Sequence, residues 1–269
     1  MEPKQDEKWR NIVNSSGFPL QIGIAHQIER AWPGGGGWRT VLTEHPWRHP
    51  ESAEDGFIDL VIEDQFRTQV MVVECKRVRD TEWFFLISKE NPKPRRVANA
   101  WFTYLHGERK NRFGWQDHPT EPSSYQSEFC VVHGQDSKSR PMLERVAAQL
   151  VESTEALAHE EFAIHKDGTE FLRIYFNVII TTADLKVCKF KPEDIDIAAG
   201  EISKATFETV PWVRLRKTLI PRPAASGSEK TISEVATKNE RTVFVVNSER
   251  FVNFLAQWEL DNLSAGALG

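Results

Sequence analysis

The sequence predicts an α/β fold with a mixed central sheet, and three observations lead to this prediction. Two stretches, residues 19–32 and 141–158, repeat apolar side chains at the spacing of an amphipathic helix. Several short runs between and after them are rich in β-branched residues, as buried strands are. The chain has 269 residues, of which 40% are apolar and 27% charged, so it can form a hydrophobic core.

The first helix is predicted at residues 19–32, and a glycine-rich connector follows it. Four of its residues recur at three- and four-residue spacing, namely Ile22, Ala25, His26 and Glu29. Residues 34–37 are all glycine, and no Gly-Lys-Ser/Thr follows them as a phosphate loop requires. We therefore expect a flexible connector there.

The next part of the chain predicts a strand pair and then an inserted segment. Residues 57–63 and 69–78 are rich in β-branched side chains and are separated by a short polar stretch, which is typical of adjacent antiparallel strands. Residues 79–140 are expected to form an insertion. Within it, the residue pattern predicts a helix near 97–105 and a short strand at 129–133.

The last part of the chain completes the predicted α/β core. A helix is expected at residues 141–158, and residues 171–182 and 186–190 are expected to form a second strand pair. Residues 221–240 are polar and rich in turn-forming side chains, which predicts a mobile loop. A last strand at 242–246 and a last helix at 249–260 should pack on the same domain.

Composition limits the cellular setting more than it limits the function. The formal net charge of −5 neither favours nor excludes a nucleic-acid partner, because a basic surface can be local. Cys75, Cys130 and Cys188 are widely spaced and odd in number, which fits neither a disulfide framework nor a paired-cysteine zinc site. Residues 1–10 are charged where a signal peptide is apolar, and no run has the length of a membrane span. We therefore expect a cytoplasmic protein with no membrane partner.

Three charged residues inside the predicted strand pair indicate a site of chemistry. Side chains alternate along a strand, so Glu74 and Lys76 should project together while Cys75 points to the opposite face. Asp59 lies between Ile58 and Leu60, and an acid within an apolar strand is costly unless it is paired or binds a metal. We call Asp59, Glu74 and Lys76 the charged trio.

A divalent cation would explain the charged trio. The carboxylates of Asp59 and Glu74, the backbone carbonyl of Cys75 and water molecules would provide an oxygen shell suited to Mg²⁺, with Mn²⁺ as an alternative. Lys76 would then lie beside an attacking water. Hydrolysis of a phosphodiester needs an activated water and stabilisation of charge on the phosphoryl oxygens, which metal and lysine can supply together. The alternative is a cross-strand ion pair on a solvated face of the sheet.

Asp59, followed by the triplet Glu74, Cys75 and Lys76, resembles the PD-(D/E)XK superfamily of restriction-endonuclease-like nucleases. This resemblance implies an αβββαβ core with a mixed central sheet, helices on both faces and a long insertion after the strand that carries Glu74 and Lys76. It also implies a further strand near residues 40–43 and a nuclease domain over residues 1–220. The sequence departs from the pattern because Gly56, Phe57 and Ile58 replace the proline before the aspartate.

The resemblance also implies two further site residues. Glu29 would be the acid on the first core helix, which in many members helps to organise the metal or its waters. Gln149 would be the glutamine that some members carry on the second core helix. An exposed position on a helix surface is the ordinary alternative for both residues.

The function implied by the resemblance is a Mg²⁺- or Mn²⁺-dependent endonuclease that acts on DNA, in restriction, repair or antiviral defence. Such an enzyme could act as a homodimer or with a partner protein of a defence or repair complex. Two alternatives stay open. The same site could cut RNA, or the chain could be a catalytically silent nuclease fold that serves as a nucleic-acid-binding or assembly subunit.

Two histidines and two basic stretches are weaker candidates. His45 and His49 have the spacing of metal ligands, but Pro46 discourages the helix that would align them, so a loop is expected. Residues 89–112 mix basic and aromatic side chains, which fits either a base-stacking surface or a solvated helix with an aromatic core face. Residues 214–222 form a second basic stretch, and such runs usually face water.

Overall fold

A computed structural model describes residues 3–52, 54–79, 81–89, 92–105, 112–134, 141–165, 171–220 and 231–261. The α-helices in these residues are, in chain order, α1 Pro3–Ser15, α2 Phe18–Ala31, α3 Met142–His165, α4 Ile232–Lys238 and α5 Phe251–Ala256. None of them has the length and apolar character needed to cross a bilayer.

The strands are more numerous than the helices. In chain order they are β1 Trp38–Arg48, β2 Asp55–Asp64, β3 Gln69–Lys76, β4 Glu82–Ile87, β5 Arg95–Leu105, β6 Arg112–Ser124, β7 Gln126–Ser127, β8 Phe129–Val132, β9 Phe171–Thr181, β10 Asp184–Lys189, β11 Ile195–Asp196, β12 Glu201–Ile202, β13 Thr206–Thr209, β14 Trp212–Thr218, β15 Glu240–Asn247 and β16 Glu259–Leu260.

Most strands belong to one ten-stranded sheet with the order β1-β2-β3-β9-β15-β14-β7, from which β5, β6 and β16 branch at β9. The pairs β3–β9 and β9–β15 are parallel, whereas β1–β2, β2–β3 and β14–β15 are antiparallel. The predicted α/β class with a mixed sheet is therefore confirmed. A second sheet has the order β13-β10-β4-β8.

Helices cover both faces of the main sheet, because its central strands are apolar on both sides. Val61 and Val72 face α3, together with Ile179. Their neighbours along the strands, Leu60 and Val73, face α2 and α5. This alternation of side chains on β2 and β3 is the two-residue period expected of strands, and it fixes the faces on which the charged residues of β3 project.

The first predicted helix is confirmed as α2, but a different face of it is buried. Gln21, Ile24 and Ile28 pack against the sheet, whereas Ile22 is 68% exposed. The sequence carries apolar residues on two stripes at helical spacing, one through Ile22 and Ala25 and the other through Ile24 and Ile28. Both stripes satisfy the helical period, and only the packing partner selects between them.

Strand β9 changes its neighbour halfway along its length. Residues 171–175 pair with β5, and residues 177–181 pair with β15. At the change of partner, Asn177 Nδ2 donates to the Thr242 carbonyl at 3.0 Å, and Thr154 Oγ1 donates to Asn177 Oδ1 at 2.8 Å. Asn99 N donates to Thr242 Oγ1 at 2.9 Å. We call Asn99, Thr154, Asn177 and Thr242, all of them buried, the sheet fork.

The predicted helix near residues 97–105 is wrong, because this segment is strand β5. Trp101 lies in the core beside α3, and the neighbouring Phe102 lies in the opposite core. Successive large side chains that point to opposite faces need the period of a strand, not that of a helix. Pairing with both β6 and β9 overrides the helical preference of the alanines in the segment.

The predicted insertion, residues 79–140, is not a separate appendage. Its strands β5, β6 and β7 join the main sheet, while β4 and β8 join the second sheet; residues 135–140 lie outside the described residues. The expected pairing of residues 171–182 with 186–190 is also wrong. Both are strands, but β9 belongs to the main sheet and β10 pairs in parallel with β4 of the second sheet.

The C-terminal part of the chain lies at the centre of the main sheet. The predicted last strand is confirmed as β15, which lies between β9 and β14. Of the loop predicted at residues 221–240, residues 221–230 lie outside the described residues, and residues 232–238 form α4, which begins with a capping box of Thr231 and Glu234. The predicted last helix is shorter than expected, and a 3₁₀ turn precedes it.

Candidate active site

The candidate site lies where strands β2 and β3 stop pairing. Their last paired residues are Leu60 and Val73. Asp59 is the residue before Leu60, and here its side chain replaces the β2 main chain as the hydrogen-bond partner of β3. Its Oδ2 accepts a hydrogen bond from Cys75 N at 2.6 Å. Asp59 is therefore placed at the opening between the two strands.

Glu74 and Lys76 project together from β3, as the alternation predicts. Lys76 Nζ lies 2.6 Å from Glu74 Oε1, and the two side chains are 33% and 23% exposed. Cys75 points into the core beneath α2. The three charged side chains thus meet at one opening that solvent can reach.

The environment of Asp59 opposes its ionisation. Burial and the nearby Glu74 carboxylate raise the pKa of Asp59 from 3.8 to about 7, with a smaller contribution from Glu44. The Cys75 N–H and the Lys76 ammonium act in the opposite direction. A carboxyl group with a pKa near neutrality, in an opening between strands, is typical of a functional site.

Glu44 is an acid near the site that the sequence analysis missed. Thr43 pairs with Leu60 and His45 with Ile58, so Glu44 on β1 lies opposite Asp59 on the neighbouring strand β2. Its φ of 50° is in the left-handed region that residues other than glycine rarely adopt. No pattern in the sequence identifies it, because β1 has no regular alternation around residue 44.

Gln21 is a second missed residue. Its side chain is buried on α2, and its Nε2 donates to the Asp59 backbone carbonyl at 2.6 Å. The helix thereby holds the main chain of Asp59, while Cys75 N holds its side chain. A buried glutamine on an otherwise apolar helix face is the one signal that could have found it.

Neither residue that only the resemblance implied joins the charged trio by a direct contact. Glu29 is exposed, and it lies two turns beyond Gln21, about 12 Å further along α2. Gln149 is exposed on α3. Within the described residues, neither side chain makes a hydrogen bond or an ion pair. Their roles stay predictions.

Cys75 can contribute its main chain but not its sulfur. Burial raises the pKa of the Cys75 thiol well above its usual value, so the thiol stays protonated and is a poor ligand. The carbonyl of a strand residue points to the same side as its N–H. The Cys75 carbonyl therefore faces the Asp59 strand, beyond the last paired residues.

The described residues contain no group of three or more His, Cys, Asp or Glu side chains that could enclose a metal ion. Mg²⁺ does not require such a group, since it keeps several waters and is often bound by one or two carboxylates. Asp59 and Glu74 repel each other across the opening, and a cation would relieve that repulsion. The donor set fits a hydrated divalent ion.

His45 lies in strand β1 and His49 directly after it, rather than in the expected loop, and both contact α3. His45 Nε2 lies 2.9 Å from Glu160, and His49 Nε2 lies 3.2 Å from the buried Glu155. His49 Nδ1 accepts bonds from the main-chain N–H groups of residues 51 and 52, so Nε2 carries the proton. The histidines attach β1 to α3 instead of forming a metal pair.

The two basic stretches also differ from expectation. Trp101 and Phe102 are buried in the cores, so they are not available to stack on bases. Arg214 is 0% exposed and donates to Ser124 and Thr120, and burial lowers its pKa to about 10. It belongs to β14, an interior strand of the sheet, and for that reason the second basic stretch does not face water there.

Comparison with known proteins gave no match: no family model, curated protein or solved structure is significantly similar to this chain.

Proposed function

We propose that the chain is a divalent-metal-dependent nuclease that hydrolyses phosphodiester bonds in DNA. The observation that carries the proposal is the charged trio at the opening between β2 and β3. There a carboxyl group with a pKa of about 7 lies beside a second carboxylate and an ammonium group. Buried or half-buried charges of this kind are costly, and catalysis is a common reason for that cost.

The order of elements supports the resemblance to the PD-(D/E)XK superfamily. A helix, α2, precedes the strands β1, β2 and β3, and helix α3 and strand β9 follow after the intervening strands β4 to β8. When β4 to β8 are left out, these elements follow the αβββαβ order that the resemblance implies, with Asp59 on the second strand and Glu74 and Lys76 on the third. DNA as substrate, an endonucleolytic cut and a role in restriction, repair or defence are proposed from this resemblance.

Asp59 and Glu74, with the Cys75 carbonyl, would hold Mg²⁺ or Mn²⁺. Such an ion, when bound, lowers the pKa of a water molecule and stabilises negative charge on phosphoryl oxygens. Lys76 is partly exposed, and its ammonium can move from Glu74 to a substrate phosphate or to the attacking water. Gln21 fixes the main chain that carries Asp59, which limits the orientations of that carboxyl group.

The direct test is a cleavage assay with matched DNA and RNA, in single- and double-stranded form, with Mg²⁺ or Mn²⁺ and with EDTA. We expect metal-dependent cleavage that Lys76→Ala abolishes. The control is Lys186→Ala, which removes a strand lysine of similar exposure that is paired with Glu82. Cleavage that persists in EDTA or in Lys76→Ala would contradict the proposal, and faster cleavage of RNA would assign the site to RNA.

A catalytically silent nucleic-acid-binding or assembly subunit is the second candidate. The observation that favours it is the ion pair of Lys76 with Glu74, which neutralises two of the three charges without any metal. Binding of Mn²⁺, followed by electron paramagnetic resonance, separates the two candidates. A nuclease should bind Mn²⁺ in an Asp59-dependent manner, whereas a silent subunit should bind nucleic acid equally well with and without metal and cut none.

A further inference from the structure

A basic groove of 630 Å³ lies at the far end of the second sheet. Its walls are the end of β4, the start of β5 and the strands β7 and β8. Three cations, Lys89, Lys93 and Arg95, line it, and all three are exposed. The only acid among the described lining residues is Glu128, and residues 90–91 of the adjoining loop lie outside the described residues.

The cations of the basic groove differ from the other cations in this region. Arg96 forms an ion pair with Glu121 at 2.6 Å, and Lys217 forms one with Glu144 at 2.6 Å. Lys189 likewise pairs with Glu208. Within the described residues, Lys89, Lys93 and Arg95 form no ion pair. Among the described residues that line the groove, these three cations outnumber the single acid, Glu128, in a chain whose net charge is −5.

We propose that the basic groove binds the sugar-phosphate backbone of the nucleic acid that the candidate active site cuts. This inference rests on the proposed function for the identity of the anion. The three cations would contact successive phosphates, and such contacts position a nucleic acid without reading its sequence. The exposed Ser88 and partly exposed Gln126 side chains can donate further hydrogen bonds to phosphate oxygens.

The position of the basic groove fits a polymer rather than a small anion. Strand β7, which lines the groove, lies four strands from β3 in the main sheet, and four spacings amount to about 19 Å. A nucleic-acid strand rises about 3.4 Å per nucleotide in a duplex, so this spacing across the sheet corresponds to about six nucleotides. A substrate that reaches both must be at least that long.

The test measures the binding of a labelled 20-nucleotide DNA, single- and double-stranded, by fluorescence anisotropy in EDTA. One variant combines Lys89→Ala, Lys93→Ala and Arg95→Ala. A matched control combines Arg112→Ala, Lys204→Ala and Arg250→Ala, which removes three exposed cations elsewhere that form no ion pair with another described residue. All six residues are on the surface, and thermal melts check that both variants fold.

We expect the groove variant to bind on the order of tenfold more weakly at 0.1 M salt, because three phosphate contacts are lost. The slope of log affinity against log salt should become shallower by about two to three. The control should stay within about twofold of the wild type, since a lost exposed charge without a phosphate contact contributes little. A four-nucleotide DNA should bind weakly to all three proteins.

Equal binding by the groove variant and the control overturns the inference, and so does an absence of binding to either form of DNA. Tight, groove-dependent binding of the four-nucleotide DNA or of AMP also overturns it, because the site would then be a pocket for a small anion. The cleavage assay separates this failure from that of the proposed function. If the wild type binds DNA through the groove but cuts nothing, only the proposed nuclease function is contradicted. If the groove variant cuts and binds DNA like the control, only the role of the groove is contradicted.

Discussion

Two places in the main sheet lose the pairing between neighbouring strands, and they are filled in opposite ways. At the sheet fork, β9 leaves β5 for β15, and the neutral side chains of Asn177, Thr154 and Thr242 bond to one another with less than 2% exposure each. At the candidate site, β2 leaves β3, and the ionisable side chains of the charged trio fill the opening.

The two openings differ in the electrostatic cost of the side chains that fill them. Neutral amides and hydroxyls satisfy the free main-chain groups of the fork at little electrostatic cost. At the other opening a single amide such as asparagine could also accept the Cys75 N–H. The chain instead places a carboxyl group there whose pKa is raised to about 7 by burial and by Glu74. That choice costs stability, and it supplies a group that can change its charge or bind a cation.

The largest expected effect is a loss of cleavage activity when the charge at the candidate site is removed. Asp59→Asn keeps the shape and the acceptor for Cys75 N but removes the charge, so we expect metal-dependent cleavage to fall at least about 100-fold. Asp55→Asn is the control, since it is the same substitution at an exposed position of the same strand. Cleavage rates in Mg²⁺ provide the measurement, and equal rates for the two variants would remove Asp59 from the site.

The second effect concerns the stability of the sheet fork. Asn177→Ala removes the amide that donates to the Thr242 carbonyl, and it leaves the Thr154 hydroxyl with the Leu150 carbonyl as its acceptor, in a fully buried place. We expect it to lower the free energy of unfolding by about 2–4 kcal/mol, as measured by urea denaturation. Asn253→Ala, on the exposed side of α5, should cost less than about 1 kcal/mol. A loss at Asn177 no greater than this control would mean that the fork does not hold the strands.

The third effect is the dependence of stability on pH in EDTA. Because the pKa of Asp59 is about 7 in the folded chain and near 3.8 when unfolded, the folded state binds its proton more tightly. The resulting stabilisation is full below about pH 4 and is lost as the pH rises through 7. Solvent screening of this half-buried group should leave about 1–2 kcal/mol of the effect.

The measurement is the difference in unfolding free energy between wild type and Asp59→Asn. We expect Asp59→Asn to be the more stable protein at pH 8 and to lose this advantage at pH 5. Addition of Mg²⁺ at pH 8 should stabilise the wild type selectively, because a bound cation favours the ionised carboxylate. If the difference in unfolding free energy between the two proteins does not change with pH, the pKa of Asp59 is not raised in the folded chain.

The grouping of the charged trio could be predicted from the sequence better than its surroundings. Asp59, Glu74 and Lys76 could be found because charges inside apolar strands are conspicuous and because strand alternation fixes which side chains point together. Glu44 could not be found, since its place opposite Asp59 depends on the register of β1. The α2 face that contacts the site was also misassigned, because two stripes of this helix satisfy the same period and only packing against β2 selects the one with Gln21.

The course of the chain after β3 was the least predictable part of the fold. Residues 97–105 contain alanines and aromatic residues that suit either a helix or a strand, and pairing with β6 and β9 decides in favour of β5. The separation of β9 and β10 into two sheets depends on a parallel partner, β4, that lies about a hundred residues earlier. Local patterns carry no information about such distant partners.

The smallest expected effect tests whether α2 positions Asp59. Gln21→Ala removes the 2.6 Å bond to the Asp59 carbonyl, which should cost about 1 kcal/mol of stability, whereas Gln27→Ala on the exposed side of the same helix should cost almost nothing. If Gln21 positions Asp59, its loss should also change the pH at which the metal-free wild type loses stability, because the freed Asp59 main chain lets the carboxyl group approach solvent and its pKa fall. A stability loss with an unchanged pH profile would make Gln21 a packing residue and would leave Cys75 N alone in holding Asp59 at the opening.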